Sequence, residues 1–111
     1  MGIIKKINKF VSEAMFSEIV TFDDCIGYFA ENKRQYPQIY AFILSVEKNR
    51  TPQNDNDKLI VVQAFLDKDY KAITLDGKTG LSRILHTKTI DKKMINFLEG
   101  ESTKIYSNKE K

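Results

Sequence analysis

The sequence predicts an α+β fold: two N-terminal helices, an antiparallel meander sheet of three or four strands, and a C-terminal helix packed on one face of that sheet. Three observations predict it. Apolar residues recur at steps of three and four over 3–15 and again after Thr21, the spacing of a helical face. Two nearly continuous apolar runs, 39–46 and 59–66, carry branched and aromatic residues, the composition of buried strands. Only short connections follow the second run. A parallel crossover needs about a dozen residues or more, so neighbouring strands are expected to pair antiparallel.

Ile3, Ile4, Ile7, Phe10, Val11, Ala14 and Met15 mark one side of the expected first helix, with Lys5, Lys6, Lys9 and Glu13 on the other. The stretch Phe16–Val20 fits no single period. Thr21 reads as an N-cap, followed by Asp23 and Asp24 in a first turn where carboxylates suit the helix dipole. Phe22, Ile26, Phe29 and Ala30 then form the inward stripe of the second helix, which runs into the polar Glu31–Gln35. Tyr36-Pro37 stops it, because the residue before a proline avoids helical geometry.

Ile39–Val46 is the first expected strand, and residues 49–57 (NRTPQNDND) form the strongest loop signal in the chain. Leu59–Leu66 is the second strand, Asp67-Lys68-Asp69 a tight turn, and Tyr70–Leu75 the third strand. Asp76-Gly77, with Gly80 just beyond, is a turn signal leading to a fourth strand, Leu81–His86. Thr89 caps the expected last helix, with Ile90, Met94, Phe97 and Leu98 on one face and Gly100 closing it. Residues 1–100 therefore read as a single α+β domain and 101–111 as a polar, frayed tail.

Composition excludes some chemistry. The 111 residues include one Cys, one His and no Trp. One Cys cannot form an internal disulfide, and with one His it cannot supply the four ligands of a structural zinc. A lone thiol suits a reducing cytoplasm, and the wealth of Lys, Ile and Asn suggests a bacterial or phage genome. Lys5, Lys6, Asn8 and Lys9 interrupt any signal-peptide core. Lys6 stands where a myristoylation motif wants Ser or Thr. No run approaches the roughly 20 apolar residues of a membrane span, so no membrane insertion is expected. The basic stripe of Lys5, Lys6 and Lys9 reads as the solvent side of a packing helix rather than a membrane-surface face.

Four catalytic or ligand-binding patterns fail on spacing or context. Gly77-Lys78-Thr79 matches the end of a phosphate-binding loop, but Ala72 occupies the position of the required earlier Gly. Counting a calcium loop from Asp55 puts Ile60 at the glycine position and Leu66 at the glutamate position. Cys25 and His86 offer a nucleophile and a base, yet Asp23 and Asp24 oppose a thiolate and no oxyanion device is evident. The triplet Asp76-Gly77-Lys78, with Asp67 or Asp69 upstream, has the acid-x-Lys spacing of some metal-dependent nucleases but falls on an expected turn. The sequence therefore predicts no catalytic residues, no metal, no cofactor and no enzyme.

Two surfaces remain as candidates. The net charge of +3 lies wholly in the last third, since residues 1–37 and 38–75 are each balanced at five basic and five acidic groups. Lys78, Arg83, Lys88, Lys92 and Lys93 face only Asp91 within 77–93, a basic patch able to contact phosphates. Tyr28, Tyr36 and Tyr40 gather around the second helix and first strand, and tyrosine buries interface area at low entropic cost. By exclusion, the leading expectation is a small non-catalytic protein-binding module, such as an inhibitor or immunity-type protein covering a partner's surface or active site. The alternative is a nucleic-acid-binding protein using 77–93.

Overall fold

The computed structural model describes residues 14–73 and 82–107, and side chains from Ser17 onward within them. Element order is β1 (Ala14–Val20), α1 (Phe22–Gln35), β2 (Ala41–Lys48), β3 (Leu59–Leu66), β4 (Ser82–Ile90), α2 (Lys92–Leu98) and β5 (Thr103–Ser107). The five strands form one mixed sheet in the order β1-β4-β3-β2-β5. β1 runs parallel to β4, and the other neighbours are antiparallel. Strands β1 and β2 consequently point the same way with two strands between them, and α1 makes the crossover.

The fold is α+β, but the expected arrangement of two N-terminal helices, an antiparallel meander and a terminal helix is wrong. Ala14 and Met15, assigned by periodicity to a first helix, begin β1 together with the ambiguous Phe16–Val20; the rest of that helix, 1–13, lies outside the described residues. The pairing that makes β1 a strand is with Ile84–Ile90, some seventy residues away, and long-range pairing overrides local period. β3 is antiparallel to both β2 and β4, but its connections run over 49–58 and 67–81, so short loops do not explain those pairings, and the short-loop rule is also blind to a strand that pairs across the chain. The expected third strand is not formed by Tyr70–Ile73, where a single bridge joins Ala72 to Leu66. Residues 101–111 were expected to fray, yet Thr103–Ser107 pairs along β2 as an edge strand.

Helix α1 starts as its sequence dictates: Thr21 Oγ1 accepts the Asp24 N–H at 3.0 Å, and the helix ends before Tyr36-Pro37. Its buried residues are Cys25 and Phe29, whereas Ala30 is exposed. Helix α2 is capped by Asp91 and not by Thr89, because β4 continues through Thr89 to Ile90. Asp91 Oδ1 accepts the Met94 N–H and also the Phe22 N–H, each at 3.1 Å. One carboxylate thus satisfies orphan donors at the starts of both helices. Glu99 and Gly100 both take positive φ after the last turn of α2, a common way to end a helix.

Both helices cover the same sheet face. Phe29 packs edge-on against Phe42 at 5.1 Å, and Phe42 stacks with Tyr106 at 5.1 Å. Leu44, Val61, Phe65, Leu85, Met94 and Leu98 complete this core. Each such buried large side chain contributes about 1.5–3 kcal/mol of transfer free energy. No helix among the described residues is long and apolar enough to cross a membrane.

Candidate functional site

The exposed aromatic cleft at one end of the sheet is built by two stops in the chain. Pro37 ends α1; Tyr36 N–H closes on Asn32 O at 2.8 Å, and Ile39 N–H bonds Tyr36 O at 3.0 Å. Tyr40 N–H then bonds Leu66 O at 2.8 Å, which fixes the entry to β2 beside the exit from β3. At that exit Asp67 Oδ1 accepts the N–H groups of Asp69 at 2.8 Å and Lys71 at 3.0 Å. Tyr70 N–H returns to Asp67 O at 2.8 Å. The turn forces Tyr70 to φ 61°, in the left-handed region that side chains other than glycine rarely occupy.

In this strained turn Tyr70 is 47% exposed, and its ring centroid lies 6.0 Å from that of Tyr40. Tyr40, but not Tyr70, lines an adjacent cleft of about 430 Å³, together with Lys33, Pro37, Asp67, Lys68 and Asp69 among others. A bulky residue held in an unfavoured backbone region while leaving half its surface in water contributes little to the core. Such strain concentrates at working sites.

The other two tyrosines do not face this cleft in the same way. Tyr28 stacks on Phe65 at 5.6 Å, and Tyr36 is half-buried against the core while its N–H closes α1. Of the three tyrosines singled out by sequence, Tyr40 is the one brought to the cleft; Tyr70, which sequence placed within a strand, is its companion.

The basic residues are not equivalent. Arg83 is only 13% exposed in its side chain: Nη2 donates to Asp24 at 2.8 Å, Nε donates to Gln63 Oε1 at 3.1 Å, and the guanidinium sits 3.9 Å from the Tyr28 ring centroid. Lys93 pairs with Asp23 at 3.0 Å on the surface. Lys88 and Lys92 are exposed, and Lys78 lies outside the described residues. Asp23 and Asp24 thus offset two of the charges that sequence counted as a patch.

Cys25 and His86 are kept apart. Cys25 is buried in the core under α1, and its carbonyl accepts from Gln63 Nε2 at 2.8 Å. His86 alternates with Leu85 along β4 and so points to the opposite sheet face. Burial, helped by Asp24 and Asp91, outweighs the lowering effect of Arg83 and pushes the Cys25 thiol up to about 11. A thiol in that state is a poor nucleophile.

On the far face His86 Nδ1 meets Asp57 Oδ1, and Asp57 is 2% exposed. Asn49 Nδ2 donates to Asp57 Oδ1 at 2.6 Å, and Gln53 N–H donates to Oδ2 at 2.8 Å. Burial raises the Asp57 pKa, but the hydrogen bonds from His86, Gln53 and Asn49 outweigh it and hold the carboxyl below its usual range. This cluster fastens the 49–57 loop to β4. It also consumes the carboxylate that a calcium loop would need. Among the described residues no group of three or more His, Cys, Asp or Glu could hold a metal ion. The Gly-Lys-Thr and Asp-x-Lys patterns at 76–80 fall outside the described residues.

Comparison of the chain with protein families, with curated proteins and with solved structures finds no match.

Proposed function

We propose that the chain is a non-catalytic protein-binding module that engages its partner through the Tyr40–Tyr70 pair and the cleft that Tyr40 lines. The observation that carries this reading is Tyr70: a half-exposed aromatic held at positive φ, paired with Tyr40 beside an open concavity. Rigid tyrosines at the rim of a cleft are the residues that anchor protein interfaces. Within this class, a small sheet domain that presents an exposed tyrosine pair suits an inhibitor or immunity-type protein, which acts by covering a partner's surface or active site. Pairing of Arg83 with Asp24 and of Lys93 with Asp23 favours this reading over phosphate binding by 77–93.

A photo-crosslinking amino acid placed at Tyr70, and separately at the exposed Ile95 of α2, tests the proposal in the producing cell. The expected result is one stoichiometric protein adduct from position 70, lost when Tyr40 is changed to Ala. Adducts from Ile95 alone, or a nucleic-acid adduct from position 70, would overturn it.

A further inference from the structure

We propose that β5 is a self-pairing edge through which two copies of this chain associate about a two-fold axis at Ile105. The inference goes beyond the tyrosine cleft and stands on the hydrogen-bond register of the sheet. Along β2 and β5 the partners run Ser45 with Thr103, Leu44 with Lys104, Ile43 with Ile105 and Phe42 with Tyr106. Val46 N–H donates to Ser102 O at 2.8 Å, so the even-numbered residues of β5 direct their main-chain groups at β2. A second observation agrees. Asn49 N–H donates to Lys58 O at 2.9 Å across the β2–β3 ladder, which turns the odd-numbered residues of β2 toward β3 and leaves the even-numbered ones for β5.

Thr103, Ile105 and Ser107 therefore direct their N–H and C=O groups away from β2. Among the described residues β5 has one neighbouring strand, β2. Three outward residues centred on one position suit an antiparallel dyad: Ile105 would exchange two bonds with its own copy, and Thr103 would pair with Ser107 on each side of the axis.

The side chains are self-complementary in that register. Ile105 is 47% exposed beside Ile43 and would meet the second Ile105 on the face away from the helices. On the helix face Lys104 would take the register position opposite Tyr106 of the second copy. Thr103 and Ser107 would place hydroxyls together. Lysine commonly guards an edge strand, but here Lys104 is drawn back by Glu99 and sits 5.5 Å from the Phe97 ring centroid. That position draws its ammonium away from the edge. A short strand makes a small interface, so the association is expected to be weak and concentration-dependent.

Sedimentation of the full chain up to about 0.5 mM tests the proposal, with Ile105→Glu, Ile105→Lys and Ile19→Glu as variants. Wild type is expected to dimerise. Each Ile105 variant alone should weaken the dimer at least about tenfold, because like charges oppose each other across the axis. An equimolar mixture of the two should recover it, and Ile19→Glu on the other edge should leave it unchanged. Recovery on mixing separates lost pairing from lost folding. A wild-type monomer throughout this range, or a dimer indifferent to both Ile105 variants, would overturn the proposal.

Discussion

The guanidinium of Arg83 lies over the ring of Tyr28, 3.9 Å from its centroid, while its Nη2 holds Asp24 at 2.8 Å. By sequence one residue belonged to a basic patch and the other to a tyrosine interface. In the structure they serve each other and join β4 to α1. Gln63 extends the network, accepting from Arg83 and donating to the Cys25 carbonyl. Arg83→Ala strips a buried amide of its donor and is expected to cost about 2–3 kcal/mol. A double-mutant cycle with Tyr28→Leu in urea unfolding should return a coupling of about 1 kcal/mol. Additive effects would show that the ring and the cation stabilise the fold separately.

Asp91 predicts a sharp distinction between two small substitutions. Its Oδ1 accepts the N–H groups of Phe22 at the start of α1 and of Met94 in the first turn of α2 together. Asp91→Ala should lower stability by about 2 kcal/mol, whereas Asp91→Asn keeps a capping oxygen and should lose less than about 1 kcal/mol. Chemical unfolding of the two variants reads the difference. Equal losses would mean that the carboxylate charge matters more than the caps.

The buried Asp57 sets an acid limb of stability. Its folded-state pKa lies below the ordinary aspartate value of 3.8, so the unfolded chain takes up the proton first as pH falls. The stabilisation is complete above the unfolded pKa and is lost as pH drops from about 4 through the folded pKa. Urea unfolding between about pH 6 and pH 2 should show a steeper acid loss for wild type than for Asp57→Asn. Asp57→Ala at neutral pH should cost about 3 kcal/mol, since it leaves His86, Asn49 and the Gln53 N–H without their shared acceptor. Parallel pH profiles for wild type and Asp57→Asn would contradict this account of the cluster.

Cys25 should behave as an inert core residue. With the thiol raised to about 11 and wholly buried, labelling by a thiol reagent near pH 8 should be slow in the native protein and immediate in denaturant. Fast native labelling would place the thiol at the surface and contradict its position under α1.

Much of the fold was written in local signals. Thr21, Asp23 and Asp24 start α1 and Tyr36-Pro37 ends it, because capping and proline sterics act within a few residues. Leu59–Leu66 is apolar on both faces and forms the strand its composition indicates. What stayed hidden was non-local. β1 is a strand through its pairing with β4, and no short window contains that partner. β5 is polar because all five of its residues are exposed or only partly covered, so its composition matches a tail. Asp57 with His86, and Arg83 with Asp24, are separated by 29 and 59 positions. The cleft was legible at Tyr40 alone, since the backbone reversal that turns Tyr70 outward comes from the Asp67 turn and not from any aromatic spacing.

The central claim is that Tyr70 anchors a protein partner. Titration calorimetry of the crosslinked partner, purified, against wild type and Tyr70→Ala measures it directly. With the variant's unfolding transition unchanged, the account predicts an affinity loss of about thirtyfold or more, in line with an interface hot spot of about 2 kcal/mol. A loss under about threefold in a folded variant would contradict it.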